Sequence, residues 1–208
     1  MNFSDYNRNQ LVSYQSIIRA ASRFSSATAA ELNEQILPYL QFRCKVEEFY
    51  QRYFAPACQR SCFDTKLSAC CGFESIIIFF ADQAINYLLS TPQDLSKIIK
   101  VLERPNTSNN CVYLGEGGCI WRLRPITCAM FFCDQAKTAV FQEHSEAESI
   151  LGDLQSQEKE FTWPTKPVLF DEIEKQFMSI GVESPLLYFH QSPGLLRLKA
   201  RAAKANDR

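Results

Sequence analysis

Residues 58–71 read CQRSCFDTKLSACC, and residues 111–133 read CVYLGEGGCIWRLRPITCAMFFC. Together these two runs contain eight of the nine cysteines in the 208-residue chain. Four cysteines hold one tetrahedral thiolate site or one cubane iron–sulfur cluster, so eight is the number that two such centres use. The pattern predicts a small helical scaffold organised around a cysteine-rich metal site. The eight are Cys58, Cys62, Cys70, Cys71, Cys111, Cys119, Cys128 and Cys133.

Length and composition limit the classes of protein to consider. A chain of this length can form one domain with its own core, and an apolar content of 46% with 22% charged residues is typical of a globular protein. The net charge of -1 creates no overall field that would attract nucleic acid or an anionic membrane. We therefore expect a metal ion or cluster as the partner, and neither nucleic acid nor membrane.

The expected cellular compartment affects how the cysteines are interpreted. The N-terminus lacks the pattern of a secretory signal, and no segment has 18 consecutive apolar residues, so we expect a cytoplasmic protein. Cytoplasmic thiols stay reduced, and a dense cysteine set there is more often metal-binding or catalytic than a disulfide framework. The odd cysteine count also argues against complete disulfide pairing.

Apolar periodicity predicts helices before the cysteines begin. The first 30 residues predict one helix. Leu32, Ile36 and Leu40 continue the helical step, and we expect Pro38 to divide this segment or to open a new helix. A further stripe predicts the helix that leads through Pro56 to the first cysteine; it consists of Val46, Phe49, Tyr50 and Tyr53.

The middle of the chain contains the most apolar segment. We predict the core helix over residues 73–89, with a buried stripe, and a second helix that begins at Thr91–Pro92 and runs to about Glu103. Residues 111–114 and 119–121 flank a glycine-rich turn and predict a short β-hairpin. The expected buried stripe is Ile76, Ile77, Phe80, Ala84, Tyr87 and Leu88.

The rest of the chain is predicted to be helical. Arg124–Pro125 is expected to open a helix that carries Cys128 and Cys133 and continues to about Lys159, with its acidic residues on a solvated face. A linker at 163–167, a helix over 169–180, a turn at 192–194 and a terminal helix over 197–208 follow. The expected fold class is mainly α with one short hairpin. Residues 1–57 form the N-terminal helices, 58–133 the cysteine-cluster core, and 134–208 C-terminal helices that pack on the same domain.

Thiolates are the soft ligands that zinc and iron–sulfur clusters select, and clustering this dense predicts that at least four of the eight bind metal. Cys58 and Cys62 share one face if the helix persists. The Cys70–Cys71 doublet can supply two neighbouring metals, or one ligand and one supporting thiol. It could also form a vicinal disulfide, which keeps a redox switch open. Cys44 is interpreted as a small buried hydrophobe.

The order of these cysteines, with Gly118–Cys119 and Arg124–Pro125 before Cys128, resembles the YkgJ-type cysteine-cluster family. That family is described as zinc- or iron-chelating, and its members are often labelled iron–sulfur oxidoreductases. The resemblance covers residues 58–133 and implies that all eight cysteines are ligands. Flagellin lysine methylases have a similar cluster, but they resemble this chain in the cysteines alone.

Four other residues accompany the cysteines. Arg124 could offset the negative charge of several thiolates or bind an anionic substrate or cofactor. Trp121, Phe131 and Phe132 could shield the thiolates from water, and they would serve equally well as ordinary core aromatics. The only two histidines, His144 and His190, have no motif neighbours, so histidine-based catalysis is not expected.

These observations predict a cytoplasmic metal-binding protein whose cysteines bind an iron–sulfur cluster of the [4Fe–4S] type or Zn²⁺. The centre could support a redox or modification reaction. The absence of C-x2-C knuckles from the sequence favours iron–sulfur over zinc. Two alternatives stay open: a non-enzymatic interaction module that zinc folds, and a thiol-based redox sensor.

Overall fold

Helices make up most of the computed structural model, which describes residues 3–65, 67–72, 77–105, 109–162 and 168–187. The mainly α fold with one small antiparallel hairpin is as predicted. The predicted linker at 163–167, the turn at 192–194 and the terminal helix lie outside the described residues. The helices are α1 (Phe3–Ala21), α2 (Ser26–Phe49), α3 (Ala55–Cys58), α4 (Phe80–Leu89), α5 (Pro92–Leu102), α6 (Ile126–Met130), α7 (Asp134–Glu143), α8 (Glu146–Thr162) and α9 (Leu169–Ser179).

Helix α2 passes through Pro38 without a break, so the expectation that this proline divides or opens a helix was wrong. Proline cannot donate the helical hydrogen bond to the carbonyl four residues earlier, here that of Glu34. Both Glu34 and Pro38 lie on the exposed face, where water can bond that carbonyl, while Ile36 and Tyr39 on the opposite face are buried. Burial of the inner face therefore holds the helix together across the proline.

Two wide turns follow α2 and carry the chain to the first cysteines. Tyr50–Phe54 and Gln59–Phe63 are π-helical turns on either side of α3. Pro56 has no N–H to donate to the preceding turn, and the first wide turn lies directly before it. The predicted stripe is buried at Val46, Phe49 and Tyr53.

The core helix α4 begins at Phe80, seven residues later than predicted. Residues 73–76 lie outside the described residues, and Ile77, expected in the buried stripe, is 49% exposed. The backbone N–H of Phe79 donates at 3.2 Å to the carboxylate of Asp82 in the third helical position, and this bond favours the start of the helix there. Helix α5 begins as predicted, with the Thr91 hydroxyl accepting from the N–H of Asp94 at 3.2 Å.

The single helix predicted from Arg124 to about Lys159 is three helices. Helix α6 ends at Met130, Phe131 is extended, and α7 begins after Cys133. His144, with φ -136° and ψ 81°, separates α7 from α8. Neither break has a glycine or proline, but Ser145, directly before α8, and Glu148 have the spacing of a capping box, so the second break has a local signal that the first lacks. Helix α9 agrees with the prediction for 169–180.

The hairpin is shorter than predicted. Strands β1 (Leu114–Gly115) and β2 (Gly118–Cys119) pair in antiparallel register, with Leu114 opposite Cys119. Gly118 has φ +105°, a conformation that residues with a Cβ rarely adopt. The first strand is shorter than the predicted segment 111–114, and Cys111 lies in the turn that precedes it.

Buried aromatic side chains join the helices into one core. Tyr39 and Phe170 pack edge to face with ring centroids 5.5 Å apart, and Phe80 and Phe177 do so at 5.3 Å. The cysteine-bearing segments rest on this core through Phe54 and Phe132, whose ring centroids are 4.0 Å apart. Within the described ranges, no helix combines the length and apolar character that a membrane span requires.

Candidate metal centre

Seven of the eight clustered cysteines line one cavity of about 350 Å³. Its walls come from α3 and the following π turn, the segment that contains the doublet, the hairpin, α6 and the start of α7. The eighth cysteine, Cys111, joins them through its backbone N–H, which donates to the carbonyl of Cys71 at 2.5 Å. The lining cysteines are Cys58, Cys62, Cys70, Cys71, Cys119, Cys128 and Cys133.

A tight reversal after the second π turn brings the doublet back toward Cys62. The carbonyl of Cys62 accepts hydrogen bonds from the N–H groups of Leu67, at 3.0 Å, and Ser68, at 3.2 Å. Ser68 has φ 42° and ψ 40°, the left-handed conformation that costs a residue with a Cβ. The strained residue therefore lies at the reversal that places the next two thiols.

The doublet lies in a short 3₁₀ turn, Ala69–Cys71. An isolated antiparallel bridge between Gly72 and Asn110 ties this turn to the chain before the hairpin. The interaction between the two neighbouring thiols is the largest influence on both groups: it raises the pKa of Cys70 and lowers that of Cys71. The doublet thus pairs a thiol with a neighbouring sulfur that is more easily ionised.

Burial is the main influence on the other thiols. It raises the pKa of Cys58 to about 11, of Cys111 to about 12 and of Cys128 to about 11, and it also raises the pKa of Cys119. Repulsion among neighbouring cysteines adds to the effect at Cys58, Cys111 and Cys128. These thiols are therefore protonated at neutral pH, and a metal that binds them must displace the protons.

Arg124 supplies the positive charge of the cavity wall. It lowers the pKa values of Cys58, Cys70, Cys119 and Cys128 against the larger opposing effects. Its guanidinium carbon lies 4.9 Å from the centroid of the Tyr50 ring, and its Nη2 is 3.3 Å from Oε2 of Glu47. Its backbone carbonyl accepts from Nη2 of the buried Arg43 at 2.6 Å.

The aromatic residues divide between cavity and core. Phe131 and Phe132 line the cavity, and Phe132 is buried whereas Phe131 is 49% exposed. Trp121 packs instead on Tyr14, with ring centroids 5.6 Å apart. Two of the three aromatic residues named from sequence therefore contribute to the apolar wall beside the thiols.

The interpretation of Cys44 as a buried residue was wrong, because this thiol is exposed on α2. The helix buries Phe42, Arg43 and Val46, so the position between them faces outward with Lys45 and Glu47. Cys44 is thus separate from the cavity and offers a matched control for the clustered cysteines.

Two residues that sequence reasoning missed hold the segment before Cys128. The buried Asp82 carboxylate accepts from the N–H of Ile126 at 3.0 Å as well as from Phe79, and so caps both α4 and α6. Burial raises the pKa of Asp82 to about 6. Asn86, also buried, accepts from the N–H of Leu123 at 3.0 Å. The available signal was Asp82 three residues after Phe79, the spacing of an N-cap pair.

Histidine and carboxylate groups add little to the thiol set. The ring of His144 packs edge-on against Tyr53, with centroids 5.4 Å apart, and His190 lies outside the described residues. In the part of the chain that the structure describes, no three His, Cys, Asp or Glu side chains are close enough together to hold one metal ion. What the structure brings together is a shared cavity with a sulfur-rich lining.

Comparison with known proteins gives no match to a protein-family model, a curated protein or a solved structure. The resemblance to the YkgJ-type family therefore stays a prediction that rests on the cysteine order and the Gly118–Cys128 segment.

Proposed function

We propose that this chain is a metal-binding protein whose cysteine cavity holds an iron–sulfur cluster, with Zn²⁺ as the alternative. The observation that supports this function is the convergence of seven cysteines, from segments far apart in the sequence, on one cavity. Cysteines that serve only as small core hydrophobes would pack among other apolar side chains. Sulfur atoms gathered around open space are instead available as ligands.

The size and lining of the cavity favour a cluster over a single ion. A volume of about 350 Å³ is roughly ten times the share of one water molecule in the liquid. The wall beside the thiols includes the apolar side chains of Phe132, Leu114 and Ala129. Limited access of water and an apolar shell are among the features by which proteins set the potential of an iron–sulfur cluster.

Arg124 also fits this proposal. A cluster or ion with four thiolate ligands carries negative charge, and a guanidinium that cannot lose its proton compensates that charge at any physiological pH. The contact with Tyr50 and the ion pair with Glu47 hold the guanidinium beside the thiols. A redox or modification reaction at the centre, in the cytoplasm, belongs to the same proposal and is supported by the family resemblance.

Anaerobic purification from a metal-replete culture, with elemental analysis and a visible absorption spectrum, tests the proposal. We expect brown protein that contains iron and acid-labile sulfide, and the same result for Cys44→Ser. Colourless protein with stoichiometric zinc supports the alternative, in which the metal folds an interaction module. Less than one iron or zinc per chain would contradict metal binding.

A thiol-based redox sensor is a second candidate, favoured by the adjacency of Cys70 and Cys71 in one 3₁₀ turn. The sulfur with the lowered pKa is the one that an oxidant such as a peroxide converts to a sulfenic acid, and the neighbouring thiol can then displace water from it to close a disulfide. Metal-free protein that loses two hydrogens on oxidation and regains them with dithiothreitol, measured by mass spectrometry, would support this function. A Cys70→Ser variant that still shows the same mass change would contradict it.

A further inference from the structure

We propose that Cys71 and Cys111 form a redox pair, which a peroxide converts to a disulfide in the metal-free chain. The proposal concerns two thiols rather than a metal centre. It goes beyond the proposed function, because it holds whether or not the cavity takes up a metal. Its basis is the backbone pairing between the doublet and the segment before the hairpin.

This backbone pairing places the two residues opposite each other. Gly72 and Asn110 form an antiparallel bridge. In antiparallel pairing, one step back on one strand matches one step forward on the other, so Cys71 lies opposite Cys111. The N–H of Cys111 donates to the carbonyl of Cys71 at 2.5 Å, which is a bond of this register. The N–H of Cys71 donates instead to the carbonyl of Ser68 at 2.8 Å, within the 3₁₀ turn.

The spacing of such a pair suits a disulfide. The Cα atoms of a hydrogen-bonded antiparallel pair are about 5.5 Å apart, and disulfides most often join Cα atoms about 5.5–6 Å apart. Residues that lie opposite each other direct their side chains to the same face of the ladder, with Cβ atoms about 4.5–5.5 Å apart. Because the Cβ atoms of a disulfide are about 3.8 Å apart, closing the bond requires the two segments to approach by about 1–2 Å.

The doublet segment is the one that can make this approach. It is a three-residue 3₁₀ turn, Ala69–Cys71, and not part of a long helix. Ser68, directly before it, has φ 42°, a conformation that costs a residue with a Cβ, so a change in the dihedral angles of Ser68 meets little resistance. Cys111 is held more firmly, because its carbonyl accepts from the N–H of Leu114 at 3.0 Å.

Cys70 is the competing partner for Cys71, because the two are neighbours in the chain. Successive side chains of a 3₁₀ turn point about 120° apart, so a bond between these two sulfur atoms requires the turn itself to distort. A bond to Cys111 follows the existing backbone register instead. The cross-strand partner is therefore favoured over the neighbour in sequence.

The reaction needs only a peroxide as oxidant, and hydrogen peroxide is small enough to enter the cavity of about 350 Å³ that Cys71 lines. Peroxide oxidises one thiol to a sulfenic acid and is itself reduced to water. The second sulfur then attacks the sulfenic sulfur. The S–S bond forms, the S–O bond breaks, and the hydroxyl leaves as water with the proton of the second thiol.

The disulfide would tie the doublet to the hairpin and close a loop that contains α4 and α5. A link across such a loop stabilises the folded chain, because it restricts the unfolded one. The oxidised chain should therefore unfold at a higher urea concentration than the reduced chain. It would also have one thiol fewer in the lining of the cavity.

Disulfide mapping of the reduced, metal-free full-length chain after treatment with hydrogen peroxide tests the proposal. Free thiols are alkylated, and cleavage with trypsin and a glutamate-specific protease then leaves the doublet in residues 67–74 and Cys111 alone in residues 104–116. We expect the intact chain to lose two hydrogens and these two peptides to be cross-linked. The same cross-link is expected in Cys44→Ser and in Cys70→Ser, and it should be absent from Cys71→Ser.

Stability is the second readout. The urea midpoint of the unmodified chain should rise on oxidation, whereas that of Cys111→Ser should not change. Circular dichroism confirms that each variant is folded, and Cys111→Ala replaces Cys111→Ser if the latter does not fold.

A mass loss confined to residues 67–74 and removed by Cys70→Ser would identify a disulfide within the doublet and overturn the proposal. An equal yield of the cross-link after Cys71→Ser would also overturn it, as would an unmodified chain that loses no hydrogens. The metal content after anaerobic purification decides the proposed function separately, so failure of one proposal is distinguishable from failure of the other.

Discussion

Around Phe170 the side chains are fully buried and the rings pack edge to face, whereas around the thiols the chain runs through short turns and most side chains are half-buried. Phe80, Phe170 and Phe177 have no exposed surface. Of the eight clustered cysteines, seven are half-buried and Cys70 is exposed. The helical core is therefore stabilised mainly by apolar burial, which needs no ligand.

The cysteine region depends on directed interactions instead. Asp82 and Asn86 bond the backbone on either side of Arg124, and the carbonyl of Cys62 closes the reversal that precedes the doublet. Hydrogen bonds of this kind place atoms accurately but each contributes only about 1 kcal/mol net. The helical core thus provides most of the stability, whereas the cysteine region mainly fixes the positions of the thiols. A bound metal would stabilise the cysteine region further.

The largest expected effect is in the core. Phe170→Ala should lower the free energy of unfolding by about 3–5 kcal/mol, because it leaves a cavity among packed aromatic rings. Urea denaturation should give the same loss with Zn²⁺ and with EDTA. The exposed Met178→Ala is the control and should change stability by less than about 0.5 kcal/mol. A loss for Phe170→Ala that appears only with metal would mean that the two regions are not energetically separate.

The next effect is confined to the metal-bound protein. With Zn²⁺ at a hundred times its dissociation constant, binding stabilises the folded chain by about 2.7 kcal/mol per site. Cys128→Ser should lose about that amount, measured by urea denaturation, whereas Cys44→Ser should lose almost none. In EDTA the two variants should differ by less than about 1 kcal/mol. Equal losses for both in Zn²⁺ would show that Cys128 is an ordinary packing residue.

Asp82 joins the two regions, and its removal should have an intermediate effect. Asp82→Ala leaves the N–H groups of Phe79 and Ile126 without their acceptor, a cost of about 2 kcal/mol after the relief of burying a charge. Asp82→Asn keeps one acceptor oxygen and should lose less. Hydrogen exchange provides the readout, with faster exchange expected at both the start of α4 and the start of α6. Faster exchange at only one helix would contradict the shared cap.

The smallest effect concerns Glu158 on α8. Burial raises its pKa to about 7 from the ordinary 4.5, so its contribution to stability is fully present below pH 4.5 and is lost as the pH rises through 7. Glu158→Gln, which never ionises, should match the unmodified protein at pH 4 and exceed it at pH 8 by about 1 kcal/mol once solvent screening is included. Thermal unfolding at both pH values measures this, with the exposed Glu148→Gln as control. A gain that is equal at both pH values would rule out ionisation as the cause.

Sequence predicted the helices whose signals are local. The period of α1 and the Thr91–Pro92 cap of α5 needed no distant contact, although the helix predicted over the first 30 residues ends at Ala21 and α2 begins at Ser26. The prediction of a helix break at Pro38 failed because the burial of Ile36 and Tyr39 outweighs the one helical hydrogen bond that proline cannot donate. The break at Phe131 has no glycine, proline or capping residue to mark it, whereas Ser145 and Glu148, with the spacing of a capping box, did mark the start of α8 after His144.

The candidate site likewise has features that the sequence predicted and features that it did not. The identity of the clustered cysteines could be read from their density, but Cys44 could not be placed, because helix periodicity without a known inner face does not fix exposure. Asp82 lies inside the helix predicted over residues 73–89 and was not singled out. Its role depends on Ile126, 44 residues away, and a contact at that distance leaves no trace in local spacing.

The two π turns have a consequence for how length changes in this chain would be tolerated. Each wide turn contains one residue more than an α-helical path needs, and one residue corresponds to about 100° of rotation about the helix axis. Deleting a residue from Tyr50–Phe54 would restore ordinary helix and swing Cys58 and Cys62 away from their present direction. The number of residues between Phe49 and Cys58, and not only their identity, is thus a determinant of where two of the sulfur atoms point.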